Sequence, residues 1–344
     1  AAMSAIDFWL GRHRAVAADL PGADLPWLAR LREDAIDRFA DEGWPTTRRE
    51  NWRHTSLAFM AQQALAVREA VAPEAVLAQL RERFRTADRG LARAHSDSTL
   101  VGAEGHSDAN PVGAGSPTNA AASATADLGH WLVFVDGRFA PALSAIGKLP
   151  GGVRIGSLAE ALAQTPEAVE AAFGQAEDGE TPAALNAALA ADGAWIRLGR
   201  GSVIEAPIHL VFITAKAADQ HLRNLIVLDA GAQATIVEHY PAGAAGSTLT
   251  TAVTRVLAAQ DSHVTHLKLQ QETPEAIHLA TIAAEQARGA VFASHSLSFG
   301  ARLARNDIRT RLAGEVAEAL LHGLYHADGR RHVDHHPRID HARP

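Results

Sequence analysis

The residue types best suited to chemistry gather near the C-terminal end. Six of the 18 histidines, His322, His326, His332, His335, His336 and His341, lie there, with Asp334 and Asp340 interleaved among them. Neutral imidazole nitrogen and carboxylate oxygen are ligands for Zn2+ and Fe2+. In a strand, the period of two would place His332, Asp334 and His336 on one side and His335 on the other. The candidate metal ligands are therefore His332, Asp334, His335, His336 and His341. The same residues would also suit a solvated turn or a subunit contact. Three or four ligands must converge on a metal, and a sequence does not show convergence.

Other catalytic signatures are missing. The chain has no GxxxxGK[ST] phosphate loop, no G-x-S-x-G nucleophile elbow and no HExxH zinc helix. Gly199 and Gly201 form a G-x-G that lacks the third glycine of a dinucleotide fingerprint. With Cys 0, disulfides, thiolate metal sites and cysteine nucleophiles are excluded within these residues. Arg305-Asn306-Asp307, with Arg302 and Arg309 close by, could receive an anion, but reads more simply as a turn whose side chains cap backbone groups. His295 shares a face with Val291, Ala293, Leu297 and Phe299, which reads as a hydrogen-bonded histidine in a β core with Leu297 pointing inward. Trp52, alone in the polar stretch Pro45–Leu57, reads as an anchor that docks a helical part onto the rest of the chain.

The elements that position these residues divide the chain into three. Residues 1–92 read as helical. Trp27, Leu31, Ala35 and Phe39 recur at four-residue steps behind Asp24 and Pro26, and Val76, Leu77, Leu80 and Phe84 share one face of a second helix. Residues 93–127 are rich in Ser, Ala, Gly, Asp, Asn and Pro; they bury too little to offset their ordering entropy and read as a flexible insertion. From 128 to 344 the period is two. Short β-rich runs recur every 12 to 15 residues or so, interrupted by helical patterns at 158–173 and 182–191. That spacing is too close for βαβ crossovers, which need about 30 residues. The pattern is mainly β, and leaves sandwich, barrel and β-helix open. No strict internal repeat is visible.

Composition narrows the function. An apolar content of 47% fills a sizeable core, and a net charge of −7 argues against a nucleic-acid binder. The longest apolar runs, such as Leu132–Val135, are far too short to span a bilayer, and the N-terminus carries Asp7 where a signal peptide would be apolar. The expected setting is soluble and cytoplasmic, with no membrane partner.

Several segments together resemble the SufB/SufD family of iron–sulfur cluster assembly proteins, the SufD branch most closely. Pro45–Leu57 resembles the family's P-T-x-R-x-E-x-W-K-Y-T-x-L stretch, with Arg53-His54 where Lys-Tyr is commoner. Phe134–Phe139 resembles F-V-N-G-x-F, and Leu185–Gly193 resembles L-N-x-A-x-x-x-D-G. Pro207–Leu210 and Arg223–Val227 look like further family strands. The densest likeness runs from Ala304–Asp307 through Leu312–Glu315, Gly323–Tyr325 and Asp328-Gly329 to Ile339–Pro344.

The resemblance implies a right-handed parallel β-helix behind an N-terminal α-helical domain. It implies a non-enzymatic scaffold for cluster assembly that pairs with SufB and the ATPase SufC and supports iron acquisition. A β-helix cut before its last coils leaves unpaired strand edges, so in isolation the chain is expected to aggregate or to form a homodimer. No cofactor is expected to be held stably by this chain alone; iron or a nascent cluster belongs to the complex. The family continues past the stretch ending at Pro344 into a C-terminal helical segment that binds SufC, so the chain reads as truncated before it. Competing readings are the sister SufB-type scaffold, which depends on a cysteine, and a carbohydrate-active β-helix enzyme, which would need paired acids on a groove. Asp334 and Asp340 are the sole local pair for the latter.

Overall fold

The computed structural model describes residues 5–99, 129–174 and 179–342. The expected flexible insertion at 93–127 falls mostly outside them, while residues 93–99 form the end of a helix.

The strands in chain order are β1 (Ala66–Glu69), β2 (His130–Val135), β3 (Arg138–Phe139), β4 (Val153–Ser157), β5 (Ala194–Leu198), β6 (Ile208–Ile213), β7 (Asp219–Leu228) and β8 (Gln233–Tyr240), followed by β9 (Ala245–Ser247), β10 (Leu249–Ala258), β11 (His263–Gln270), β12 (Ile277–Gln286), β13 (Val291–Ser298), β14 (Leu303–Leu312), β15 (Glu318–Tyr325) and β16 (His332–His341). β1 pairs antiparallel with β9 in a separate two-stranded sheet, and the other fourteen build two seven-stranded sheets. One runs β16-β14-β12-β10-β7-β5-β4 and the other β15-β13-β11-β8-β6-β2-β3. From β5 onward the pairing within both sheets is parallel, and successive long strands alternate between them. The architecture is a parallel β-solenoid. This resolves the three β options and explains the spacing: neighbouring runs are half a coil apart. The backbone does repeat, with matched positions 30 residues apart for Asn224 and Thr254, and 28 for His266 and Ser294.

One corner recurs in successive coils with left-handed backbone, at Gly231 (φ 71), Asp261 (φ 56), Gly289 (φ 67) and Val316 (φ 51). Glycine adopts this conformation freely and aspartate tolerates it, whereas β-branched Val316 carries strain there. At another corner a Cβ on Gly300 would lie 2.4 Å from the Glu272 carbonyl oxygen, so backbone occupies the space of a side chain.

Helices cover the outer faces. α1 (Ala5–Val16) and α2 (Pro26–Glu42) pack with α4 (Leu158–Gln164), α5 (Pro166–Phe173) and α6 (Thr181–Leu189). Trp9, Leu28, Phe39 and Trp44 from this layer join Leu249, Ile277, Leu279 and Leu303 from the first sheet in one apolar cluster. α3 (Pro73–Thr99) lays Leu77 and Leu80 on Trp131, Val133, Val211 and Ile213 of the second sheet. Local chemistry supports these helices: Pro26 opens α2, and the Ser157 hydroxyl accepts the Glu160 N–H to cap α4.

The inward and outward faces correct the reading of residues 291–299. Phe292, Ser294, Ser296 and Ser298 are buried inside, whereas Val291, Ala293, His295 and Leu297 face outward and are partly exposed. Choosing the more apolar face as the core gives the wrong register, because Ser294 and Ser298 find hydrogen-bond partners within the solenoid. Accordingly, Phe292→Ala should lower the unfolding free energy by about 3–5 kcal/mol, and Leu297→Ala by a fraction of that. Denaturant titration of the two variants checks it; a larger loss for Leu297→Ala would refute the register.

Candidate functional site

Two polar assemblies dominate the later coils. The first joins the N-terminal segment to the outer face of β14 and β16. Arg305, on β14, is 1% exposed, and its guanidinium lies 3.8 Å from the centroid of the buried Trp52 ring. It donates to Asp307 at 2.7 Å, to Asp334 on β16, and to the Asn51 carbonyl at 2.8 Å. Thr55 donates to Asp334, and its hydroxyl lies 2.8 Å from His332 Nε2. Glu180 accepts from Arg309 (2.7 Å), Asn51 (3.0 Å) and the Trp52 indole (3.4 Å). Burial pushes the Glu180 carboxyl up, but Arg309 and these hydrogen bonds outweigh it and hold it below the usual range. At Asp307 burial prevails over Arg305, and its carboxyl is raised.

Trp52 thus docks the helical segment as expected. Arg305-Asn306-Asp307 is a buried strand segment and not a turn: alternation sends Arg305 and Asp307 outward into the clamp and Asn306 into the solenoid. The pattern that would have revealed this is the strand period through 303–312, which overrides the turn propensity of Asn and Asp.

The second assembly fills the interior. Glu238 accepts from His266 (3.0 Å), Tyr240 (2.7 Å) and Thr254, and the other His266 nitrogen lies 3.1 Å from Ser294 Oγ. Lys268 Nζ donates to His278 Nε2 and Asn306 Oδ1, both at 2.7 Å, and sits 4.9 Å from the Tyr240 ring centroid. His278 Nδ1 is 2.8 Å from Glu272, which also accepts from Thr250 and Gln270. Asn306 continues to Ser298, and Ser298 to His335. All but His335 are buried. Burial raises the Glu238 carboxyl, yet His266 and the hydroxyl donors bring it down to about 2. Burial also lowers the Lys268 ammonium to about 8, against the pull of Glu238 and Glu272. Of this network the sequence reading touches only Asn306 and His335, each in another role; His266 and Lys268 two residues apart on one strand, with His278 on the next, are the signal for the rest.

The five proposed metal ligands are not gathered. His332 and Asp334 face outward into the Thr55–Arg305 clamp, His335 points inward to Ser298, His336 is partly exposed and His341 is exposed. Among the described residues, no set of three or more His, Cys, Asp or Glu side chains is arranged to hold a metal ion. Asp340 lies 3.7 Å from Arg311 and does not face Asp334 across a groove; both belong to one strand. A cleft of about 350 Å3 over β10, β12, β14 and β16 is lined by Arg255, Arg309, Arg311, Arg338, Glu285 and Asp340. Its guanidinium groups stand among carboxylates, which is not the paired-acid arrangement of a glycosidase.

Residues 211–344 match the family model described as SUF system FeS cluster assembly, SufBD core domain, and residues 126–210 match that of the SufBD protein N-terminal region. The chain belongs to the SufBD family of iron–sulfur cluster assembly proteins. It is 31% identical over 199 residues to the iron–sulfur cluster assembly protein SufD of Escherichia coli (strain K12), covering 56% of this chain and 44% of that protein. It is 28% identical over 220 residues to an iron–sulfur cluster assembly SufBD family protein of a Synechocystis species, covering 60% and 49%. The chain spans about half the length of these relatives. Within the described residues no helix is long and apolar enough to cross a membrane.

The clamp predicts that Trp52→Ala costs about 3–5 kcal/mol, since a buried indole and the face beneath Arg305 are lost together. Limited proteolysis should release the N-terminal helices of this variant before the solenoid is cut; cleavage kinetics equal to the parent's would count against the docking role.

A pH dependence follows from His239, 1% exposed and stacked near Trp131 and His209. Burial and then His209 lower its pKa to about 3, with Glu238 opposing. The unfolded chain takes up this proton near pH 6.5 and the folded chain only near 3, so stability is lost as pH falls through that window. His239→Leu should therefore reduce the destabilisation between pH 6.5 and 5 by about 2 kcal/mol. Urea titrations at the two pH values check this, and an unchanged difference would exclude His239 as the source.

Proposed function

We propose that this chain is part of a SufD-type scaffold subunit for iron–sulfur cluster assembly, acting without catalysis of its own in the cytoplasm and pairing with SufB and the ATPase SufC. The observation that carries this reading is the SufBD family match across residues 126–344, with SufD among the named relatives. Three features of the molecule support it. The charged groups of the clamp and the interior are spent on one another, which suits a rigid support better than an active site. The 344 residues contain no cysteine, and clusters are bound chiefly by thiolates, so a cluster assembled on the complex would take its ligands from a partner. A β-solenoid with helices on its outer faces also offers a long, stiff surface for assembly. Iron supply to the nascent cluster is the supporting role assigned to the complete subunit.

The test is recovery of the complete, tagged protein from its own cytosol. SufB and SufC should co-purify in fixed proportion; recovery of neither would overturn the scaffold reading. In parallel, anaerobic incubation of the protein alone with iron and sulfide, then desalting, should leave no sulfide-to-iron charge-transfer absorption. A retained band would refute the dependence on a partner's thiolates.

A further inference from the structure

The outward face of β13 and β15 carries a pair of imidazoles that neither the clamp nor the interior uses. His295 and His322 are register partners on adjacent parallel strands. Both side chains leave the sheet on the solvent side, His295 partly exposed and His322 exposed. Their Nδ1 atoms stand 3.2 Å apart, with ring centroids at 5.0 Å and planes inclined by 48°.

We propose that His295 and His322 form a two-histidine chelate for a divalent first-row transition metal ion, bound through both Nδ1 atoms with its other positions open. Imidazole binds Zn2+ at about 2.0–2.1 Å, and two such bonds at an angle of about 100° put the nitrogens about 3.2 Å apart. The observed separation therefore already satisfies the chelate, midway between tetrahedral and octahedral angles, so neither ring has to move far.

The surroundings favour an unprotonated His295 ring. Leu297 pairs with Leu324 on one side of the histidines, and Ala293 with Leu320 on the other. Across the neighbouring strand pair, His295 is matched by Leu267. No carboxylate occupies these flanking positions to favour imidazolium. Burial, followed by His322 and His266, lowers the pKa of His295 below its ordinary value, leaving its lone pairs available at neutral pH.

Donor chemistry sets the ligand class. Imidazole suits Zn2+, Ni2+ and Cu2+, whereas Mg2+ and Ca2+ demand oxygen ligands. With two protein ligands, at least two coordination positions remain for water or for a donor carried by a bound partner. The ion would be exchangeable, unlike one locked in a structural zinc site. Without metal, one Nδ1 must carry a proton and donate it to the other. With metal, both Nδ1 atoms bind and both protons sit on Nε2. This change of tautomer gives a signature independent of affinity.

The experiment is titration of the complete, metal-stripped protein with Zn2+ alone at pH 7.5, followed by calorimetry and by 15N shifts of the imidazole rings. One ion should bind at the pair, with both Nδ1 resonances shifted and Nε2 protonated, and Mg2+ should give no response. His295→Ala and His322→Ala should each weaken this event by at least about tenfold, and the double variant no further, because either change destroys the chelate. His336→Ala with His341→Ala should leave it unchanged. Affinity unchanged from the parent's in either single variant, or loss only when His336 and His341 are replaced, would overturn the proposal. His322 is exposed, so its variant also tests the site without disturbing the core.

Discussion

In-register parallel pairing makes every inward side chain the neighbour of the inward side chain one coil away. A polar group admitted at one coil must therefore find its hydrogen bond on the next coil or across the interior, because water does not reach it and an unmet partner costs about 1–3 kcal/mol. His266 meets Ser294, Asn224 meets Thr254, and Lys268 reaches across to His278 and Asn306. The interior changes character along the solenoid for this reason. It is apolar at Ile208, Leu210 and Phe212, and once Glu238 enters, the following coils supply imidazole, ammonium, amide and hydroxyl groups to complete it. Buried charges are tolerated because the network is closed around them.

The outer faces obey the opposite logic. Over the early coils they are largely apolar, with His209, His221, Arg223 and His239 buried against the aromatic side chains that cover them, and are sealed by helices. Farther along, the N-terminal segment reaches across to β14 and β16 through Arg305, whose planar guanidinium is stacked on Trp52 and ringed by two carboxylates and a carbonyl. Lysine could fill the charge but neither the stack nor the fork. The segment Pro45–Leu57, which carries part of the family likeness, is thus a docking element: Asn51, Trp52 and Thr55 all spend their polar atoms on the solenoid or on its bordering Glu180.

Much of this was legible in the residues. The period of two from residue 128 onward announces short β runs where the structure has its strands, and the four-residue steps from Trp27 locate α2. The choice of solenoid over sandwich or barrel was not available from spacing, since half a coil looks like a hairpin interval. It came from the family likeness. Other features were hidden for physical reasons. The face of 291–299 inverts because Phe292 supplies its apolar bulk inside and the small Ser294 and Ser298 are hydrogen-bonded there. Arg305-Asn306-Asp307 has turn-forming composition, yet strand pairing on both sides fixes it as extended. The histidines near the C-terminal end are dense in sequence but divided by the pleat, so His332 and His335 serve different faces. His295 and His322 are distant in sequence and adjacent in space, a relation only the coil length creates.

The recurring left-handed corner has a further meaning for how such a chain can vary. Gly231, Asp261, Gly289 and Val316 mark one point on each circuit of the backbone, and the pairing between circuits holds every residue in phase with those above and below. A single residue gained within a strand would rotate every later side chain to the opposite face, turning Lys268 and Glu238 outward and leucines inward. Length can therefore change in only two ways: at the bends, where the loop bulges outward without disturbing phase, or by the gain or loss of an entire circuit. The molecule behaves as a screw thread, tolerant of added turns and intolerant of a fraction of one.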